Sequence, residues 1–229
     1  MKDDLKNKLI EEVGATDFEK NLPEEIEGFR LKKIFDATGD KFNYFSYENP
    51  ERHCTLTAYF HEETGEYKIR VKIGLTEFCL TDFFADKFPE FKVKLDSGIR
   101  GIIENLADFD NPKINSLVRD KKIPGWEYGK NFPATLEGFE LFIKPTAPVE
   151  FTNGSFIIAN YADFKIESDF VLYYNIYTDE FSGEAHINSV PDVSYTFDSK
   201  ELPELEEKLK ENLVEELRMI RRRSAETGV

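Results

Sequence analysis

Three short segments of this chain occur twice in the same order, and this repetition constrains the fold more than any other feature of the sequence. The matched pairs are 22–29 (LPEEIEGF) with 132–139 (FPATLEGF), 59–66 (YFHEETGE) with 177–184 (YTDEFSGE), and 88–91 (FPEF) with 202–205 (LPEL). Their offsets are 110, 118 and 114 residues. Because loops change length more readily than the elements they join, the matches predict two diverged copies of one structural unit.

Each copy has the residue pattern of several strands followed by a helix. In the first copy, apolar and basic residues alternate from Tyr67 to Ile73, which indicates a strand with one buried and one exposed face. Apolar residues then recur at helical spacing from Phe91 to Leu106, and a second such helix follows Pro203 in the other copy. We therefore predict an α+β fold: a tandem duplication of an antiparallel sheet of about four to five strands, each with a C-terminal helix packed on the sheet.

The repeat also predicts how the chain is divided. A chain of 229 residues is long enough for two small domains. Leu5, Leu9 and Val13 mark an extra amphipathic helix ahead of the first copy. The predicted divisions are an N-terminal helix (1–20), repeat unit 1 (21–107), a linker (108–131) and repeat unit 2 (132–229).

The net charge limits the expected partners. The formal charge is −15 at pH 7, which repels phosphate backbones and anionic lipid surfaces, so we expect neither nucleic acid nor a membrane as a partner. The first residues carry charge throughout and do not resemble a signal peptide, and no stretch is apolar for long enough to span a membrane. We expect a soluble, cytoplasmic protein in which Cys54 and Cys79 stay reduced.

The residues that carry most enzyme chemistry are few and scattered. The sequence has three histidines, His53, His61 and His186, and two cysteines, without the spacing of a metal site or a catalytic triad. His61 begins a segment like the start of a zinc-protease motif, but the second histidine of that motif is missing. We therefore predict no catalytic residue, no metal ligand and no cofactor.

Lys68, Arg70 and Lys72 share one face of a predicted strand and form a basic stripe in an otherwise acidic chain. The stripe is a candidate binding surface for an anionic ligand or an acidic partner. The alternative is that these side chains cover the sheet and pair with acids on neighbouring strands. At an offset of 118, the corresponding residues of the second copy are His186, Asn188 and Val190.

Aromatic residues supply two further candidate surfaces. Tyr173 and Tyr177 lie on the face of a predicted strand opposite Phe170 and Leu172, so that strand is apolar on both faces. We expect the second face to pack within the chain, with an interface to another chain as the alternative. Trp126 lies in the predicted linker, where it either anchors a partner or packs the linker against a domain.

The leading functional hypothesis is a non-catalytic interaction or binding protein, with another protein as a candidate partner. A more specific version is an acidic inhibitor of the immunity type, which would cover a basic partner and bind it less tightly at higher salt. The alternative is an enzyme whose site lies in a cleft between the two repeat units and uses dispersed acids, tyrosines and His61 or His186.

Overall fold

The computed structural model describes residues 3–14, 22–109, 118, 121–152 and 154–227. The chain divides into unit 1, Met1–Asp108, and unit 2, Phe109–Val229. Each unit contains one antiparallel sheet followed by a helix that packs on it, so the predicted α+β fold is confirmed. The sheets have six and seven strands, more than predicted, because strands of only two to four residues add to the main ones.

Unit 1 is a six-stranded antiparallel meander with a helix on one face. Its elements are α1 (Asp3–Gly14), β1 (Glu25–Ile26), β2 (Phe29–Thr38), β3 (Lys41–Asn49), β4 (Cys54–His61), β5 (Glu66–Ile73), β6 (Thr76–Ala85) and α2 (Phe88–Ala107). Pro89 occupies the first turn of α2, where its missing amide costs no hydrogen bond. The helix packs against β5 and β6 and buries Phe91, Leu95, Ile99 and Ile103.

Unit 2 has the same order of elements, with an additional short strand. Its elements are α3 (Glu127–Lys130), β7 (Thr135–Leu136), β8 (Phe139–Ile143), β9 (Val149–Glu150), β10 (Ser155–Asp163), β11 (Ser168–Asn175), β12 (Glu180–Ile187), β13 (Val190–Val193) and α4 (Leu202–Thr227). Both β8 and β9 pair with β10, and α4 packs on β11 and β12. No described helix is long and apolar enough to cross a membrane.

The first sequence match forms the same turn in both units. Glu27 and Gly28 join β1 to β2 with φ angles of 47° and 79°, and Glu137 and Gly138 join β7 to β8 with φ angles of 49° and 84°. Two consecutive positive φ angles define a tight hairpin turn, in which glycine avoids the strain that a side chain would add. The repeated Glu-Gly pair is therefore a repeated backbone conformation.

One tyrosine in each unit makes the same long-range hydrogen bond. The hydroxyl of Tyr47 donates to the carbonyl of Pro23 at 2.7 Å, and the hydroxyl of Tyr161 donates to the carbonyl of Pro133 at 2.9 Å. Both rings are buried. Each bond joins the segment before the first strand of a sheet to the third strand from that edge, which is β3 in unit 1 and β10 in unit 2. It therefore fixes the start of the sheet in both units.

Both sheets also carry a β-bulge at the same place. The extra residue is Tyr44 where β3 pairs with β4, and Ile158 where β10 pairs with β11. These residues are 114 apart in the chain, and both are 0% exposed. A bulge interrupts the alternation of side chains along a strand, so each unit gains one more core side chain at this point.

The strand register overturns the sequence match with an offset of 118. His61 pairs with Glu66 across the β4–β5 turn, and Asn175 pairs with Glu180 across the β11–β12 turn, which gives an offset of 114. A hairpin drawn from the 118 offset would span 170–177 and 185–190, whereas the observed strands are Ser168–Asn175 and Glu180–Ile187. A single lengthening, between β8 and β10, accounts for the change of offset from 110 to 114.

Two glycines with different roles caused the false match. Gly65 lies in a turn with a φ angle of 69°. Gly183 lies inside β12, where an added Cβ would come within 2.8 Å of the ring of Phe197. Gly65 allows a positive φ angle, and Gly183 leaves room for the ring of Phe197. The sequence alone does not distinguish these two roles of glycine.

The paired tyrosine bonds predict a paired effect on stability. We expect Tyr47→Phe and Tyr161→Phe each to lower the free energy of unfolding by about 1 kcal/mol, because each leaves a proline carbonyl without its donor. Urea denaturation followed by far-ultraviolet circular dichroism measures this. Tyr195→Phe is the control, since that side chain is 79% exposed. If both core variants shift the transition no more than the control, the tyrosine bonds do not contribute.

Candidate functional site

The basic stripe predicted from the sequence is partly neutralised by acids. Lys68 Nζ lies 2.9 Å from Glu66 Oε2, and Arg70 Nη1 lies 3.2 Å from Glu77 Oε1. Lys72 is exposed at the far end of the strand. Arg70 therefore pairs with an acid on a neighbouring strand, as the alternative interpretation expects, whereas the partner of Lys68 lies on its own strand, β5. At the corrected offset of 114, the counterparts in unit 2 are Ser182, Glu184 and His186.

The three predicted aromatic residues have different surroundings. Tyr173 is 8% exposed and its ring lies 5.4 Å from that of Phe151, whereas Tyr177 is 79% exposed in the turn after β11. Trp126 is 6% exposed, belongs to the hydrophobic core of unit 2, and donates its indole N–H to Glu206 at 3.2 Å. The described part of the predicted linker thus packs on unit 2.

The outer face of the unit 1 sheet, opposite α2, carries a groove of about 420 Å³. Eight of its nine lining residues are polar or charged, and Ile34 is apolar. Its lining residues are Ile34, Thr38, Asp40, Lys41, Asn43, Ser46, Glu48, Thr57 and Arg70. Of the residues that sequence patterns single out, Arg70 is the one that the fold places here.

Two groups in this groove lack the partners that their chemistry calls for. Among the described residues, the ammonium of Lys41 has no carboxylate within ion-pair distance, although the protein carries a charge of −15. Asn43 is 9% exposed, and its Oδ1 accepts no hydrogen bond from the described part of the chain. A buried polar atom without a partner costs about 1–3 kcal/mol, so it is rare and often marks a functional site.

Tyr59 connects the two cations of the groove. Its ring centre lies 5.9 Å from Lys41 Nζ and 5.5 Å from Arg70 Cζ, so both cations are held beside one aromatic ring. Tyr59 pairs with Asn43 across the β3–β4 ladder, and its hydroxyl lies 3.2 Å from Cys79 Sγ. The buried ring therefore holds two positive charges near the unpaired acceptor.

Two hairpin turns bring three potential metal ligands together at one end of this groove. Nε2 of His61 lies 2.9 Å from Oδ2 of Asp40, and a carboxylate oxygen of Glu63 completes a group whose atoms all lie within 4.8 Å of one another. Asp40 precedes β3 and His61 ends β4, and the pairing of Lys41 with His61 brings them together. The spacing of these residues along the sequence does not indicate a metal site, because they come from separate turns.

Unit 2 contains a buried Asp–His pair on the corresponding face. Asp169 is 0% exposed, and its carboxylate lies 2.6 Å from Nδ1 of His186 and accepts a hydrogen bond from Asn160 at 3.0 Å. Burial acts to lower the pKa of His186, but the hydrogen bond and charge of Asp169 and the charge of Glu184 outweigh it and raise that pKa. Within the described residues, no hydroxyl or thiol bonds this imidazole, so the pair lacks the nucleophile of a triad.

Cys54 and Tyr59 of unit 1 are held in their protonated forms. Burial raises the pKa of Cys54 to about 12. Burial and the hydrogen bond with Cys79 raise the pKa of Tyr59 as well. Neither group is therefore ionised near neutral pH, where a nucleophile or a general base has to be active.

Comparison of the chain with protein-family models, curated proteins and solved structures finds no match. The function therefore has to be argued from the groove and from its surroundings.

The buried Asp–His pair predicts a pH-dependent stability. The pKa of His186 is higher in the folded than in the unfolded chain, so its contribution to stability is complete below the unfolded pKa and is lost as the pH rises through the folded pKa. We expect His186→Gln to cost more unfolding free energy at about pH 5 than at about pH 9. Urea unfolding at both values measures the difference, with the exposed His53→Gln as control. An equal cost at both values would contradict the argument.

The unpaired acceptor in the groove predicts a stabilising substitution. Asn43→Ile introduces the residue type that occupies the counterpart position in unit 2, Ile157, and removes the unpaired oxygen. We expect the free energy of unfolding to rise by about 1 kcal/mol, as thermal or urea unfolding would show. The same change at Asn160, whose amide is bonded to Asp169, should instead destabilise the protein. If both variants lose stability equally, the unpaired oxygen of Asn43 does not lower the free energy of unfolding.

Proposed function

We propose that the chain is a non-catalytic binding protein, and that the groove on the outer face of the unit 1 sheet binds a small molecule that carries both an anionic group and a hydrogen-bond donor. The observation that carries this proposal concerns two groups of the same groove: within the described residues, the buried Oδ1 of Asn43 accepts no hydrogen bond and the ammonium of Lys41 has no carboxylate partner. A ligand of this chemistry would satisfy both groups at once.

The anionic end of the ligand would lie between Lys41 and Arg70. Both cations line the groove and lie beside the ring of Tyr59. Arg70 uses one N–H for Glu77 and presents a planar guanidinium that suits a carboxylate. Hydrogen bonds to charged groups contribute about 1.5–3 kcal/mol, so these two side chains would supply most of the affinity.

The donor end of the ligand would bond the side-chain oxygen of Asn43, which is buried in the unliganded protein and would reach the groove after rotation of the amide. An ammonium, amide or hydroxyl group can donate to a neutral amide oxygen, whereas a simple anion cannot. The groove also contains the carboxylates of Asp40 and Glu48, which favour a positively charged donor. A free amino acid combines a carboxylate with such a donor, and the groove of about 420 Å³ has the size of a small-molecule site.

The state of the titratable groups supports binding without catalysis. Cys54 and Tyr59 are protonated near neutral pH, and His186 is bound to Asp169 and Glu184 in unit 2. The more specific hypothesis of an acidic inhibitor of a basic protein rests on the net charge of −15 and stays a prediction. A salt titration of a complex with such a partner would test it, since electrostatic binding weakens as salt rises.

Three matched small molecules test the groove. We would titrate the isotope-labelled full chain with L-alanine, with propionate, which lacks the donor, and with ethylamine, which lacks the anion. We expect L-alanine to bind with a dissociation constant of about 1 mM, as suits so small a ligand, and each analogue to bind at least about ten-fold more weakly. Nuclear magnetic resonance shifts at Lys41, Asn43 and Arg70 would locate the site.

Variants separate the groove from general charge effects. Lys41→Gln and Arg70→Gln should each weaken binding about ten-fold, because each removes a charged hydrogen bond. Lys72→Gln is the control, since Lys72 lies on the same strand as Arg70 but outside the groove lining. Equal binding of all three molecules, or equal effects of the three variants, would overturn the proposal, as would shifts located outside the groove.

A further inference from the structure

We propose that Asp40, His61 and Glu63 bind one divalent transition-metal ion, such as Zn²⁺, at the end of the unit 1 groove. Imidazole nitrogen and carboxylate oxygen are ligands that such ions accept. Asp40 also lines the groove, so the ion would lie where the groove begins. This inference does not depend on what the groove binds.

The spacing of the three ligand atoms suits one small cation. Zinc bonds to nitrogen and oxygen are about 2.0–2.2 Å long, which places two ligand atoms on a tetrahedral ion about 3.3–3.6 Å apart. The three atoms lie within 4.8 Å of one another, and His61 Nε2 lies 2.9 Å from Asp40 Oδ2. On a tetrahedral ion these two atoms would move apart by roughly 0.4–0.7 Å, and the exposed Glu63 side chain would rotate to complete the set.

Backbone hydrogen bonds hold the two turns that carry these ligands. The amide of Glu62 donates to the carbonyl of Asp40 at 2.8 Å, and the amide of Gly65 donates to the carbonyl of His61 at 2.8 Å. The first bond joins the β2–β3 turn directly to the β4–β5 turn. Two of the three ligands are therefore fixed relative to each other before any ion binds, which reduces the entropy lost on binding.

The contact with Thr64 allows the imidazole tautomer that a metal-bound histidine requires. The hydroxyl oxygen of Thr64 lies 3.1 Å from Nδ1 of His61. When Nδ1–H donates to this oxygen, Nε2 presents its lone pair toward Asp40. A lone pair and a carboxylate oxygen at 2.9 Å repel each other unless a positive charge accompanies them. A metal ion supplies that charge. In the other neutral tautomer Nδ1 accepts from the hydroxyl of Thr64 and Nε2–H donates to Asp40, and this hydrogen bond is the competing explanation.

The counterpart residues in unit 2 form an internal comparison. At the offset of 114, Asp40, His61 and Glu63 correspond to Gly154, Asn175 and Tyr177. None of these three residues is a metal ligand of the same kind, although the hairpins have the same register. The ligand set thus belongs to unit 1, on the same sheet as the groove.

Calorimetric titration tests this site without any groove ligand. The full-length chain would be treated with a chelator, dialysed and titrated with zinc chloride near neutral pH. We expect one ion per chain, and we expect His61→Ala, Asp40→Asn and Glu63→Gln each to weaken binding at least about ten-fold. Zinc should shift the imidazole resonances of His61 and leave those of His186 in place.

The control variant and the contrary outcomes distinguish a bound metal ion from a hydrogen bond between His61 and Asp40. Glu62→Gln removes the same charge from the same turn as Glu63→Gln, so it should bind zinc as the wild type does. No binding at about 1 mM zinc would show that Asp40 and His61 are joined by an N–H···O hydrogen bond without a metal, and full binding by His61→Ala would show an adventitious site. Glu63 is exposed, so Glu63→Gln keeps the test valid should the other variants fail to fold.

Discussion

The groove of unit 1 depends on the single extra residue in strand β3. Side chains alternate between the faces of a strand, so without a bulge Lys41 and Asn43 would share a face with Phe45 and Tyr47 and would point into the core. Tyr44 takes up one position, and Lys41 and Asn43 therefore lie on the outer face. The ring of Tyr44 packs 6.0 Å from that of Tyr67 and 5.9 Å from that of Phe88. Burial of one aromatic ring in the core thus sets the chemistry of the opposite surface.

The two units share this β-bulge, but the side chains around it differ. Asn43 corresponds to Ile157, and Arg70 corresponds to Glu184. Unit 2 instead has buried Val171 and the pair of Asp169 and His186 on the matching face. The basic stripe has no counterpart in the second copy, which reflects either drift on a solvated face or specialisation of one half. Asn43 on the same sheet favours specialisation: its oxygen has no partner in the described part of the chain, and drift would replace a buried unpaired oxygen with an apolar group.

The sequence predicted the elements of the fold better than it predicted the residues of the site. Alternation from Tyr67 to Ile73 and the helical spacing after Phe91 depend on local periodicity, and the structure has both elements. Lys41 and Asn43 depend on the bulge, whose one local signal is the break in alternation at the adjacent aromatics Tyr44 and Phe45. Asp40 and His61 meet through the register of two strands. Pair spacing along the chain contains no information about such a contact.

Trp126 is the one tryptophan of the chain, and it lies in the core of unit 2 beside Phe132 and Glu206. Intrinsic tryptophan emission responds to the polarity around the indole ring, so in the native chain this signal describes the packing of unit 2. Unit 1, rich in tyrosine, has no reporter of its own in that spectral window. Tryptophan fluorescence therefore reports on one of the two similar units. A tryptophan introduced into unit 1 would allow the folding of each copy to be followed separately.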